Sequence, residues 1–125
     1  MESDKLAQFA GQDYLNLESY RKTGQPVQTP MWFAEDGGRL YVYTLANAAK
    51  VKRVRHNPRV RIAPCTARGR PKGEWVGATA RVVGPEEAAR GHALLTRKYG
   101  WKKRIGDFFS GLRGRERAVM TIDVD

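Results

Sequence analysis

A strand-to-helix junction in the first half of the sequence carries residue types suited to binding a phosphate group. Tyr43 and Thr44 end a strand-like segment, and Lys50 and Lys52 follow on a helix-like segment. Backbone amides at the start of a helix and the Thr44 hydroxyl can donate hydrogen bonds to an anion, while the lysines supply positive charge. A solvated basic helix after an ordinary strand would look the same, so local chemistry leaves both interpretations open.

The elements that must position this junction are mostly strands. Alternating apolar positions predict strands, and a change to helical spacing after Thr44 predicts a short helix that ends before Asn57-Pro58. Asp36-Gly37-Gly38 is a strong hairpin signal. Strands are predicted over residues 13–20, 26–34, 39–44, 59–65, 74–83 and 118–124, and helices over 46–56, 84–98 and the stretch that contains Trp101, Ile105, Phe108 and Leu112. Because hairpins join the strands, we expect a mainly β (α+β) fold, an antiparallel β-barrel with a few short peripheral helices.

Size and composition limit the class of protein. The 125 residues suit one domain over residues 1–125, and 41% hydrophobic residues suffice for a modest core. Cys65 is the only cysteine, so no internal disulfide is possible, and a reducing, cytoplasmic location is expected. No signal peptide, membrane span or metal-spaced His/Cys cluster is visible. Cys65 itself is interpreted as a small strand residue, and His56 and His92 as structural or solvated residues.

The net charge of +10 is concentrated in two blocks. Residues 50–72 contain nine basic and no acidic residues, and residues 97–117 contain eight basic and two acidic residues, so these two blocks hold all the excess positive charge. Such blocks favour a polyanionic partner, and a phosphorylated cofactor, a nucleic acid and an anionic membrane surface all fit. Charge alone does not choose among these three classes.

The junction resembles that of the pyridoxamine 5'-phosphate oxidase-like family, the FMN-binding split β-barrels. In that family a strand ending in Tyr-Thr is followed by lysine six residues after the threonine and by Asn-Pro thirteen residues after it. Thr44, Lys50 and Asn57-Pro58 have this spacing. The segment before the junction is similar to the deazaflavin-using branch in particular, through Gly24, Pro26, Thr29-Pro30-Met31-Trp32-Phe33 and Asp36-Gly37.

The resemblance implies a flavin-type cofactor and a hydride-transfer reaction on a small organic substrate. The cofactor ring is expected along the strand from Gln28 to Phe33, with backbone groups near the middle of that strand reading the ring edge. Hydride transfer then belongs to the cofactor, so no dedicated catalytic acid or base is required and none is assigned. The predicted cofactor-binding residues are Gln28, Thr29, Pro30, Met31, Trp32, Tyr43, Thr44, Lys50 and Lys52. For Trp32 and Tyr43, taken singly, core packing is the commoner role.

One departure from the family pattern bears on the cofactor. FMN-binding oxidases usually have serine and arginine just before the lysine, where this chain has Ala48 and Ala49. Two phosphate ligands are therefore missing, which favours coenzyme F-420, a deazaflavin whose phosphate and oligoglutamate tail also suit the basic block. FMN is the second choice. The resemblance further implies a homodimer, with Glu74 to Thr79 and the last strand as the interface.

Two other classes of function fit the second basic block. Cations interleaved with Tyr99, Trp101 and Phe108 are compatible with a module that binds single-stranded nucleic acid. These cations are Lys98, Lys102, Lys103, Arg104, Arg113, Arg115 and Arg117. The same amphipathic segment is compatible with an anionic membrane surface. Inward packing of the apolar stripe explains the segment more simply, so neither nucleic acid nor a membrane is the expected partner.

Overall fold

Six antiparallel strands form a closed barrel in the computed structural model, which describes residues 2–45, 48–99 and 117–125. The strands are β1 (Tyr14–Tyr20), β2 (Pro26–Asp36), β3 (Arg39–Leu45), β4 (Arg59–Cys65), β5 (Val76–Val82) and β6 (Arg117–Val124), and the helices are α1 (Glu2–Ala7), α2 (Ala49–His56) and α3 (Pro85–Tyr99). Around the barrel the order is β1, β2, β3, β6, β5, β4. The predicted mainly β fold with short peripheral helices is confirmed.

Turn chemistry explains where the strands begin and end. Gly37 and Gly38 have φ values of +63° and +84°, which is the left-handed backbone that a tight β2–β3 hairpin requires. After α2, Asn57 adopts an extended backbone because it precedes Pro58, and β4 starts at the next residue. The fifth strand is shorter than predicted, since pairing with its neighbours begins only at Val76.

The helices follow the sequence signals less closely than the strands. No helix was predicted before β1, whereas the structure has the six-residue helix α1 there. For α2 the predicted start at Ala46 lies outside the described residues, and the observed helix begins at Ala49. The predicted helix that contains Trp101 also lies outside the described residues. Within the described segments, none of the helices has the length and apolar character needed to cross a membrane.

The main core fills the barrel. Alternate residues of each strand point inward, so Leu15 and Leu17 of β1 meet Ile62 of β4 and Ile122 of β6 in one cluster. All four side chains are fully buried, and burying an aliphatic side chain of this size contributes about 1.5–3 kcal/mol. Val51 and Val54 of α2 join the same cluster, whereas the helix's other residues are partly or fully exposed. This helix therefore closes one end of the barrel.

A second core lies outside the barrel, beneath α3. It consists of Ala34, Tyr41, Tyr43, Leu95, Tyr99 and Val119. The close approach of helix and sheet depends on Gly91, because a Cβ there would lie 2.7 Å from Val119 Cγ1. The helix thus covers the outer face formed by β2, β3 and β6.

Candidate cofactor site at a split between two strands

The second and third strands separate halfway along their length. They pair only from Phe33 opposite Val42 to Asp36 opposite Arg39, next to the hairpin. The rest of β2 pairs with β1 alone, and the far end of β3 pairs with β6 alone. We call the resulting opening the split. The predicted cofactor-binding residues of β2 and β3 lie on its two borders, and α2 begins four residues after β3 ends.

The β2 border carries the residues predicted to contact the cofactor ring. Met31 points into the barrel and is 6% exposed, and Trp32 points outward toward α3. Pro30 has no N–H to donate, and it is tolerated in a strand because this part of β2 has a neighbouring strand on one edge only. The Gln28 side chain is already engaged, since its Nε2 donates to Glu18 Oε1 at 3.0 Å. Thr29 is partly exposed.

The β3 border places Tyr43 and Thr44 on opposite faces of the barrel wall. Thr44 is 7% exposed and stands opposite Ala118, a member of the inner core. Tyr43 packs outside, with its ring centroid 5.4 Å from that of His92 on α3. Trp32 stacks on Tyr99, with 4.7 Å between centroids and 13° between planes. Packing against α3 is therefore established for both predicted ring neighbours.

Three cations gather where α2 begins, close to the end of β1. Lys50 is half-buried, and its pKa is lowered by burial and by the nearby Arg53. Arg53 Nε donates to Ser19 Oγ at 2.7 Å, and the pKa of Arg53 is lowered by burial and by Arg21. None of these three cations forms an ion pair with any described residue. The cluster carries positive charge at an electrostatic cost that a bound anion would offset.

The start of α2 adds hydrogen-bond donors to this cluster. Ala48 occupies the N-cap position and makes no side-chain capping bond, and the first turn contains no acidic residue. The first amides of a helix have no partner within the helix, and the helix dipole favours an anion beside them. Lys50 and the uncapped amides thus lie in one helical turn. Both the lysine and the amides favour a bound anion.

Of the three cations in this cluster, Lys50 was predicted from the sequence as a cofactor-binding residue, and Arg53 and Arg21 were not. The available signal was spacing, because Arg53 lies three residues after Lys50 and such pairs share one face of a helix. Lys52, which was predicted with Lys50, is exposed and lies about 200° away around the helix. The structure therefore separates the two predicted lysines.

Most of the first basic block is not neutralised within the described chain. Arg59 pairs with Asp125 at 2.6 Å, and Arg61 pairs at 2.7 Å with Glu18, whose pKa is lowered chiefly by that hydrogen bond. The remaining members have no ion pair with a described residue: Lys50, Lys52, Arg53, Arg55, Arg68, Arg70 and Lys72. Positive charge therefore extends well beyond the cluster at the start of α2.

A closed antiparallel barrel whose second and third strands part beside a basic helix defines the class of this protein as a split β-barrel. The family model of pyridoxamine 5'-phosphate oxidase matches residues 3–125, so the chain belongs to that family. A search of curated proteins found no match. The resemblance stated from the sequence is confirmed at the level of the family.

Solved structures share this fold at low sequence identity. A putative pyridoxamine 5'-phosphate oxidase from Listeria innocua is 20% identical with a TM-score of 0.66, over 99% of this chain and 93% of that one. A structure described as an F-420 reductase is 18% identical with a TM-score of 0.62, over 96% and 92% of the two chains. The heme storage protein HutZ from Vibrio cholerae is 15% identical with a TM-score of 0.68, over 99% and 89%. At these identities the comparisons establish the fold alone.

Proposed function

We propose that this protein is an oxidoreductase that binds a phosphorylated flavin-type cofactor at the split, with coenzyme F-420 preferred over FMN. The observation that carries the proposal is Lys50, a half-buried lysine without an ionic partner among the described residues and beside a second cation, Arg53. A protein tolerates such an arrangement where an anion completes it. The proposed phosphate ligands are Lys50, Arg53, the Thr44 hydroxyl and the first amides of α2.

The rest of the cofactor is proposed to lie along the β2 border. Backbone groups from Gln28 to Met31 would read the edge of the ring, and Trp32 and Tyr43 would form its walls where they emerge from packing against α3. When bound, the cofactor would supply hydride transfer to or from a small organic substrate. The chain's own residues would orient the ring, hold its phosphate and exclude water.

Two features support coenzyme F-420 over FMN. Ala48 and Ala49 stand where FMN-binding relatives usually offer serine and arginine, and neither side chain can donate a hydrogen bond. The unneutralised cations of the loop after β4, Arg68, Arg70 and Lys72, suit the several carboxylates of an oligoglutamate tail. The similarity in fold to an F-420 reductase is consistent with this choice.

Titration of the purified protein with four ligands tests the proposal. Coenzyme F-420, FMN, heme and a single-stranded oligonucleotide are each added at the same ionic strength, and binding is followed by fluorescence or absorbance. We expect micromolar or tighter binding of coenzyme F-420 and weaker binding of FMN. Failure of both to bind below about 1 mM, where binding is worth only about 4 kcal/mol, would refute the cofactor assignment. Preferential binding of heme or of the oligonucleotide would assign the protein to another class.

The nucleic-acid alternative receives little support from the described residues. Of the cations on which it rested, Lys98 donates hydrogen bonds to the Gln12 and Phe33 carbonyls at 2.7 and 2.8 Å. The other cations of that set lie outside the residues whose side chains are described. The oligonucleotide titration therefore remains the direct measurement.

We further propose that the protein acts as a homodimer through Glu74 to Thr79 and β6, and that it resides in the cytoplasm. Trp75 in this segment is only half-buried, and the Arg61 guanidinium lies 5.4 Å from its ring centroid. A partly exposed tryptophan beside arginine is a frequent composition for a protein interface. Sedimentation equilibrium should give twice the monomer mass, and Trp75→Ala should weaken the association. A monomer at micromolar concentration would contradict the dimer.

A further inference from the structure

The last two residues of α3, Lys98 and Tyr99, bind the backbone of β2 and of the segment just before β1, at the point where β2 and β3 separate. Tyr99 is completely buried, and its Oη lies 2.6 Å from the Asp13 carbonyl oxygen and 2.9 Å from the Phe33 carbonyl oxygen. The Phe33 N–H donates to the same Oη at 3.2 Å. Lys98 Nζ donates to the Phe33 carbonyl at 2.8 Å and to the Gln12 carbonyl at 2.7 Å. We call Tyr99 and Lys98 the clasp.

The clasp replaces strand pairing where that pairing stops. The ladder between β1 and β2 ends with Tyr14 opposite Trp32, so Asp13 and Phe33 would form the next pair. The Tyr99 hydroxyl occupies this position and bonds to the backbone of both residues. A side chain from α3 therefore continues the ladder by one step, and it does so at Phe33, the first β2 residue that pairs with β3.

The clasp constrains the direction of the Trp32 backbone groups and the orientation of its indole at the border of the split. Backbone groups alternate between the two edges of a strand, and those of Phe33 face Tyr99. The N–H and C=O of Trp32 are therefore directed to the opposite edge, toward the end of β3. The Tyr99 ring also stacks on the Trp32 indole at a centroid distance of 4.7 Å. One residue thus constrains both the backbone and the side chain of Trp32.

We infer that Tyr99 is a positioning residue for the cofactor site and acts through Trp32. Its hydroxyl fixes the backbone edge of β2, and its ring fixes the plane of the indole at the border of the split. A binding wall held in this way is preorganised, which lowers the cost of ordering it when a ligand binds. The inference rests on the proposed function, since it requires a flavin-type ring at this border.

The Tyr99→Phe variant tests the inference because phenylalanine keeps the ring stack and removes the hydroxyl. We expect its affinity for coenzyme F-420 to fall roughly tenfold. We also expect the visible circular dichroism induced in the bound cofactor to change, because that signal depends on the orientation of the ring in its asymmetric site. Lys98→Met removes the other half of the clasp and should change both readouts in the same direction. It serves as the deciding variant if Tyr99→Phe does not fold.

Leu95→Val is the matched control. Leu95 lies on the same helix and in the same buried cluster, and it makes no hydrogen bond to β2. It should lower the thermal midpoint without changing the induced circular dichroism. Equal changes in affinity and spectrum in Leu95→Val and Tyr99→Phe would show that Tyr99 is merely structural.

Binding by the wild-type protein distinguishes failure of the positioning role from failure of the proposed function. If it binds coenzyme F-420 or FMN and Tyr99→Phe binds that cofactor with the same affinity and spectrum, the positioning role is refuted while the proposed function stands. If the wild-type protein binds neither cofactor, the proposed function fails and the positioning role fails with it.

Discussion

Replacing Lys50 by methionine should weaken cofactor binding without destabilising the free protein. Methionine has an unbranched apolar side chain close in length to the lysine stem, and it lacks the ammonium group with its charge and hydrogen-bond donors. A hydrogen bond to a charged group contributes about 1.5–3 kcal/mol, which corresponds to roughly a tenfold to hundredfold change in affinity. Because Lys50 is half-buried rather than fully buried, screening by water places the expected loss near the lower end, at about tenfold.

The stability of the free protein should change in the opposite direction. The pKa of Lys50 is lowered by burial and by Arg53, so its protonated form is disfavoured in the folded state relative to the unfolded chain. This penalty is fully present below the lowered folded pKa and disappears as the pH rises through it toward the ordinary value of 10.5. At pH 7, Lys50→Met should therefore unfold at the same or a slightly higher urea concentration than the wild-type protein. A variant that loses affinity but not stability identifies a ligand-binding residue.

Two comparison variants sharpen the assay, which is a fluorescence titration with coenzyme F-420 at about 0.1 M ionic strength. Lys50→Arg keeps the charge and should recover most of the affinity. Lys52→Met removes an equal charge from the exposed side of α2 and should change the affinity by less than about threefold. Unchanged affinity in Lys50→Met, or equal losses in the Lys50 and Lys52 variants, would refute the assignment of Lys50 as the phosphate ligand.

The remaining predictions concern stability and are read by chemical or thermal unfolding. Glu18 is 3% exposed, and its pKa is lowered mainly by the hydrogen bond from Arg61. The ionised carboxylate therefore adds to the free energy of unfolding above pH 4.5, and this stabilisation is lost as the pH falls through the lowered folded pKa. Glu18→Gln should lower the free energy of unfolding by about 1–2 kcal/mol at pH 7 and reduce the loss of stability at acid pH. If the loss of stability at acid pH is unchanged in this variant, other carboxylates cause it. Gly91→Ala should lower the free energy of unfolding by about 1–3 kcal/mol because the new Cβ would lie 2.7 Å from Val119 Cγ1. A variant as stable as the wild-type protein would mean that α3 can shift away from the sheet. Gly38→Ala should cost about 1–2 kcal/mol because its φ of +84° is strained for any residue with a side chain.

Local signals in the sequence specify the strands and the residue types at the strand-to-helix junction. Alternation of apolar residues and the glycine pair of the hairpin are local signals, and they predicted every strand to within two residues at each end. The spacing from Thr44 to Lys50 is also local, and together with Asn57-Pro58 it was enough to identify the family. The six-residue α1 left no comparable signal, since so short a helix derives its stability from contacts made after folding.

Which groups meet at the junction depends instead on long-range packing. The split depends on where pairing between β2 and β3 stops, and strand register is set by neighbours far apart in the sequence. The lowered pKa of Lys50 depends on burial that no linear pattern reveals. Tyr99 reaches a strand 66 residues earlier in the chain, and the sequence marked it only as one aromatic residue in a basic segment. Local residue types therefore specify the chemistry that is available, and long-range packing and desolvation specify where it is assembled.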